Sequence, residues 1–479
     1  MNSVDKYEKA DEQKESKNMT DEQKIFELSL IWKEAEYNFA FWNKFDKNFN
    51  WDEQYKIALS RVLKTKNLYT YYLELMRFVA LLKDGHTDVW FPKEIYESEE
   101  FSAKLPLELA YINNEYIIVN VKKNVEDRVK RYSKIKKING VDIDDYIEKN
   151  IYPYIWHEKK DSCFYGVRQF IRSGAINSEV ELVLEYDGKV YTEVLKRTTG
   201  DTNWVYDYPK RKEVEGKIVF KSDSHTIKMT EDGIAIIEIK TMMNKKLPEE
   251  IRNNYDILKQ AKAFIIDIRD NGGGNSGYSD VVASLFIGSS FRHDNAYHPY
   301  YIAPYKVWGL SDNMDKLSDE EFYQKYPHNE FREKCYQMIK HTYYENYSDV
   351  TKIANVPGKL EGQIIILSNE YTASAAENFI NVMKYYTNAK IIGTASYGST
   401  GQPLTYHLES GGGFRICTRR SKALDESEFI NIGFIPDIEC RPTLEEYQTG
   451  IDVVMNKALE EIRKTKSYKN CLLYTSPSP

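Results

Sequence analysis

Three short runs of this chain are apolar at nearly every position, with no alternation. They are GIAIIEI from Gly233, AFIIDI from Ala263 and QIIILS from Gln363. Such runs, bounded by polar residues, predict strands buried on both faces. Between and after them the period lengthens. Leu247 to Gln260 reads as a helix, and a second follows from about Asp280 to Phe286. SAAENFINVMKYY, from Ser374, sets Ala375, Phe379, Val382 and Met383 at helical spacing, and KIIGT from Lys390 adds a strand. Strands alternating with helices predict an α/β fold, a mostly parallel sheet covered on both sides. Residues 290–358 interrupt this region as a long aromatic insertion with no clean period.

Upstream the pattern is different. Thr20 with Gln23 is a capping-box pattern, opening a helix that carries Ile31, Trp32, Phe39 and Trp42. Asn50 with Glu53 caps a second helix, and Leu73, Met76, Val79 and Leu82 mark a third. It ends at Lys83-Asp84-Gly85, with Gly85 suited to the C-cap. Residues 101–200 are β-rich. LELAYI, Asn113-Asn114 and EYIIVNV form one predicted hairpin; EVELVLEY, Asp187-Gly188 and KVYTEVLKR form another. KIKKI stops at Asn139-Gly140, and DDYIEKNI reads as a helix between them. This order of strands and helix looks like a PDZ-like peptide-binding domain. The expected organisation is a disordered 1–18, a helical cap over 19–100, the PDZ-like domain over 101–200, a linker over 201–232 and the α/β domain over 233–470. Residues 471–479, CLLYTSPSP, back-translate into a sequencing adapter and are set aside as an artefact.

Composition narrows the function. A net charge of -7 argues against a nucleic-acid binder. No run of about 18 apolar residues predicts a membrane span. The first residues lack the apolar core of a secretory signal, which places the chain as written in the cytoplasm, with export following if the gene start is incomplete. Five scattered cysteines show no metal-type spacing and no disulfide framework. No metal and no cofactor is expected.

The chemistry gathers at three places. Ser374 lies where a buried strand turns into a helix, whose N-terminus offers free amides and positive potential. A nucleophilic serine needs that setting, since its attack creates an oxyanion; the plain alternative is an N-cap. Arg269-Asp270-Asn271-Gly272-Gly273-Gly274 follows a buried strand, and its glycines allow close approach of backbone. His86 follows the cap's last helix in KDGHTDV. Taken in order, KDGHTDV, the β-rich module, IIDIRDNGGGNSG, LSNEYTASAAENF, IIGTASYGSTG and IGFIPDIECRPT resemble the C-terminal-processing, or tail-specific, serine peptidase family in its tricorn-like branch. The resemblance covers roughly residues 20 to 466. It implies a crotonase/ClpP-like catalytic domain behind the helical cap and the PDZ-like domain.

By that resemblance Ser374 is the nucleophile of a serine endopeptidase acting on peptides or protein tails. One branch of the family uses a lysine base, but here Ser399 or Thr400 holds the lysine position. The other uses a histidine, matched by His86, whose titration should govern activity near neutral pH. A glutamate expected before Gly433-Phe434-Ile435-Pro436-Asp437 is replaced by Ile430. Glu428, two residues earlier, is the candidate to orient His86, with Ser396 or Asp425 behind it. The oxyanion hole falls to the amides of Ala375 and of Gly272 or Gly273, with Arg269 and Asn271 supporting the loop and Glu377 capping its own helix. The implied partner is a peptide or protein substrate, and a homo-oligomer is left open. The competing reading is a non-catalytic relative that binds peptides or apolar ligands. An acyl-CoA enzyme of the crotonase kind would leave Ser374, His86 and the PDZ-like module unexplained together.

Overall fold

The computed structural model describes residues 19–464 apart from 47, 156–158, 201–202, 208, 349 and 354. The expectations for residues 1–18 and 471–479 lie outside the described residues.

Three helices open the chain: α1 (Asp21–Asn38), α2 (Trp51–Val62) and α3 (Leu68–Ala80). The Thr20–Gln23 capping box forms, and the Asn50 side chain accepts from the Glu53 amide. Leu28, Ile31, Leu75 and Val79 are buried, and Trp51 stacks on Phe78 with centroids 4.2 Å apart. Phe39 and Trp42 fall just beyond α1 and pack edge to face. After His86 the short strand β1 (Asp88–Trp90) leaves the cap to join the α/β part.

A six-stranded antiparallel sheet follows. Its path is β2 (Leu107–Ile112), β3 (Glu115–Val121), β4 (Lys134–Ile138), β5 (Glu179–Tyr186) and β6 (Lys189–Lys196), with Val141–Asp142 added beside β4. The turns sit where the sequence put them. Asn113 and Asn114 both have positive φ, as do Asn139 with Gly140 and Asp187 with Gly188, which matches the twist of tight hairpins. Besides α4 (Ile143–Asn150) there is an unexpected helix, α5 (Phe164–Arg172), burying Phe164, Val167 and Ile171 against the sheet.

The α/β sheet has seven strands and starts earlier than Gly233. Its order is β7 (Lys217–Lys221), β8 (His225–Met229), β9 (Ile234–Ile239), β10 (Ala263–Asp267), β11 (Gln363–Ser368), β12 (Lys390–Gly393) and, at the far edge, Ile438–Glu439. β7 and β8 pair antiparallel within the stretch read as a linker; from β9 onward neighbours are parallel. One face packs on α6 (Leu247–Asn253), α7 (Ser276–Ile287) and α8 (Ala375–Tyr386). The other packs on the helix Val453–Lys464, through Val454, Ala458 and Ile462. The insertion holds short helices around its own small core of Met314, Phe322, Cys335 and Tyr336.

Two joints seat the cap on the hairpin of Pro403–His407 and Gly413–Cys417, which with β1 makes a separate three-stranded sheet. β1 pairs antiparallel with Gly413–Cys417, and Asp88 holds Arg415 through two bonds of 2.9 and 2.8 Å. Buried Glu27 of α1 accepts from Tyr71 (2.9 Å) and from the amide and hydroxyl of Ser410 (2.8 and 2.7 Å). Among the described residues no helix is long and apolar enough to cross a membrane.

Candidate active site

β11 ends at Ser368 and the chain turns sharply before α8. Thr372 fixes the turn by donating to the Ile268 carbonyl at 2.9 Å. Ser374 then takes φ 56° and ψ −122°, a conformation that a residue with a Cβ adopts only under constraint. The constraint is visible. The Ser374 amide donates to the Ser399 carbonyl at 2.9 Å and to Glu377 Oε2 at 3.3 Å. Its hydroxyl is turned towards His86, with Oγ 3.2 Å from Nε2.

His86 reaches this point from the end of α3. Lys83, not Gly85, takes the left-handed conformation there, at φ 52°. Gly85 serves close approach instead. A Cβ on it would lie 2.6 Å from Tyr397 Cε1 and 2.9 Å from Ser399 Cβ. Buried Asp84 accepts from the His86 amide (3.0 Å) and the Thr87 hydroxyl (2.7 Å), so the turn is tied down below the ring. Burial, followed by the nearby Arg415 charge, pushes the His86 pKa down to about 3. The imidazole is therefore neutral throughout the physiological range, and the titration near neutrality expected from the sequence does not arise.

The other ring nitrogen corrects the sequence reading. His86 Nδ1 lies 2.5 Å from Ser399 Oγ. Glu428 is turned to cations of the strand Arg420–Lys422, 2.5 Å from Arg420 Nη2 and 3.8 Å from Lys422 Nζ. A half-buried carboxylate beside two cations settles on them before it takes its charge into a fully buried cleft. Ser396 donates to Glu377 Oε1 at 2.5 Å and accepts from the Phe434 amide, and Asp425 is occupied by Ser427. Glu377 itself does far more than cap its helix. Fully buried, it also accepts from the amides of Gly398 (2.7 Å) and Ser399 (2.9 Å). Burial raises its pKa to about 7 against the pull of these donors. Lys159, from the β-rich module, donates to the Ser396 carbonyl on the same loop. Ser399 was legible only as one of two occupants, with Thr400, of a family lysine position; nothing local in the sequence pointed to Lys159.

The glycine loop lies against the serine. A Cβ on Gly273 would meet Ser374 Cβ at 2.7 Å and Ala375 N at 2.9 Å, so only glycine lets the loop pass. Its amide, however, donates to Asn271 Oδ1 at 2.9 Å within its own loop. Of the expected donors, the amides of Gly272 and Ala375 make no hydrogen bond among the described residues. Asn271 also donates to the Ile239 carbonyl (2.8 Å) and accepts from the Ala373 amide (3.0 Å), which joins the two loops. Arg269 is buried between Asp267 and Asp452, at 2.6 to 2.9 Å, and anchors the loop's base to the start of the C-terminal helix. Among the described residues no cluster of three or more His, Cys, Asp or Glu is placed to hold a metal.

A cavity of about 790 Å³ reaches the turn that leads to Ser374, without being lined by Ser374 or His86 themselves. Its walls are β2, residues 209–214, the outer strands of the seven-stranded sheet, and Asn369 to Tyr371 of the turn leading to Ser374.

Comparison with known proteins gives a consistent picture. Residues 233–440 match the model of peptidase family S41. Mature CPAF complexed with lactacystin superposes with a TM-score of 0.64 at 14% identity, over 94% of this chain and 99% of that one. A second structure of mature CPAF gives 0.63 at 14% identity, over 94% and 98%. A putative peptidase from Parabacteroides merdae gives 0.50 at 16% identity, over 93% and 97%. At such identities these likenesses speak for the fold. What the comparisons establish is a match to peptidase family S41 over residues 233–440, the part of the chain that carries the seven-stranded sheet and Ser374.

Proposed function

We propose that the chain is a serine endopeptidase of the tricorn-like branch, cleaving peptides or protein tails with Ser374 as nucleophile and His86 as base. One observation carries this reading: Ser374 Oγ and His86 Nε2 stand 3.2 Å apart although 288 residues separate them. Ser374 attacks the scissile carbonyl carbon, and its proton passes to His86 Nε2. The tetrahedral oxyanion forms beside the amides of Gly272 and Ala375. His86 then gives the proton to the leaving amine nitrogen, and water enters by the reverse route to release the acyl group. The seven-stranded sheet with its helices is read as the crotonase/ClpP-like core. The six-stranded sheet is read as the PDZ-like domain, which would add a substrate tail as a further strand. The cavity between the two supports a chain running from β2 towards the serine turn.

A fluorophosphonate probe tests the roles, because it reacts with an activated hydroxyl beside an oxyanion hole. Wild-type protein should label, while Ser374→Ala, His86→Ala and the double variant should all fail to the same extent. In subtilisin, loss of either residue costs on the order of 10⁶ in turnover, and the losses do not add. Folded wild-type protein that stays unlabelled between about pH 6 and 9 would leave the non-catalytic binding relative as the better reading.

A further inference from the structure

We infer that Ser399 fills the place of the orienting carboxylate at His86, as a positioning residue, and that Glu377 sets its distance from Ser374. The inference rests on the proposed roles of Ser374 and His86. The imidazole stands between two serine hydroxyls, Ser374 Oγ at Nε2 and Ser399 Oγ at Nδ1. The backbones of those serines are bonded to each other, Ser374 N–H to Ser399 O at 2.9 Å. Glu377 accepts from the amides of both, at 2.9 Å from Ser399 and 3.3 Å from Ser374. The span across the ring is thus fixed by the catalytic loops, and the cap delivers His86 into a gap already measured out. Gly85 supports the same fit, since its missing side chain lets the histidine turn rest against Ser399. The candidate carboxylates each bind elsewhere through one oxygen: Asp84 Oδ2 with the His86 amide and Thr87, Glu428 Oε1 with Arg420, Asp425 Oδ1 with Ser427.

A hydroxyl in this place works differently from a carboxylate. For Nε2 to accept the Ser374 proton, Nδ1 must carry the ring hydrogen and donate it to Ser399 Oγ. A carboxylate can only accept, and so enforces that tautomer. Ser399 can also turn and donate to Nδ1, which puts the ring hydrogen on Nε2 and leaves Ser374 without a base. Ser399 therefore sets an equilibrium between an active and an idle tautomer with no change in net charge. It also supports the transient imidazolium less strongly than an anion would.

The test uses the full chain, wild type and Ser399→Ala, with fluorophosphonate labelling rates and ¹⁵N NMR of the His86 ring. Removing one hydroxyl should slow labelling roughly 10- to 10²-fold, short of the ~10⁴ lost where a triad carboxylate is replaced. The Nδ1–H population seen in the wild type should fall, with the melting temperature shifting by only a few degrees. Equal labelling and an unchanged tautomer ratio in Ser399→Ala would overturn the inference while the peptidase reading stood. Slower labelling with the tautomer ratio unchanged would also overturn it, since that marks a merely structural role. A folded, unlabelled wild type would instead overturn the reading on which the inference rests.

Discussion

Gly85→Ala isolates the fit between the cap and the loops that carry Ser374 and Ser399, because it adds one methyl group and removes nothing. The new Cβ would stand 2.6 Å from Tyr397 Cε1 and 2.9 Å from Ser399 Cβ and Oγ. Carbon atoms at rest keep about 3.5–4.0 Å apart, so something must yield by roughly 0.6–0.9 Å. Ser399 is the less able to move, being held through its amide by Glu377 and through its carbonyl by Ser374. The histidine turn shifts instead. His86 Nε2 already sits at 3.2 Å from Ser374 Oγ, and the displacement takes it to about 4 Å, beyond hydrogen-bond reach. A misplacement near 1 Å costs on the order of 10² in rate. Overpacking costs about 1–3 kcal/mol, which a domain with ~5–15 kcal/mol of stability survives. The assay pairs fluorophosphonate labelling rates with urea unfolding. A useful control is Gly140→Ala, where φ is +77° and no heavy atom lies within 4 Å of the new Cβ. It should lose about 1 kcal/mol from backbone strain and label normally. Gly85→Ala labelling at the wild-type rate would refute the reasoning, since the cap would then have room that the structure denies it.

Two further outcomes follow from the same geometry. The ¹H–¹³C signals of the His86 ring, assigned against His86→Ala, should stay constant from about pH 5 to 8, because burial holds the pKa at about 3; an inflection near 6.5 would mean that the ring is solvated. The sign for stability is that of a depressed group: the neutral ring's contribution is present above pH 6.5 and is lost as acid carries the pH down towards 3. If the six-stranded module holds substrate tails by their carboxylate, amidating the C-terminus of a cleaved peptide should raise KM several-fold at unchanged kcat, and equal cleavage of acid and amide forms would count against that role.

The parts of the fold legible in the sequence are those whose cause is local. β9, β10 and β11 stood out because strands buried on both faces cannot alternate, and Ile234, Ile265 and Ile366 are all fully buried. The hairpins stood out because paired asparagines, or asparagine and aspartate before glycine, accept positive φ. Helix α5 did carry Phe164, Val167 and Ile171 at helical spacing, but nine residues with a glycine inside give the period little length in which to declare itself. β7 and β8 were hidden for another reason. Lys217, Ile218 and Lys221 are exposed, so an edge hairpin with one open face showed none of the dense apolar signal of the strands it extends.

The same division runs through the candidate site. Ser374 and His86, which stand 3.2 Å apart, could be singled out because each sits in a short motif whose geometry is set by its neighbours. The partner of His86 could not, because the choice between Glu428 and Ser399 depends on which side chain the folded chain brings to one ring nitrogen, 313 residues away from Ser399. Electrostatics explains why a neutral group fits there. Glu377 is already a fully buried carboxylate bonded to the Ser399 amide. A carboxylate at position 399 would set a second buried anion against it, and like charges so close push one another towards the protonated, inactive form. A hydroxyl avoids that conflict. Glu377 can then hold the loop on which both serines depend, and His86 gains its second contact without another charge taken out of water. The turning of Glu428 to Arg420, away from the ring, and the burial of Glu377 behind Ser399 are thus two sides of one arrangement.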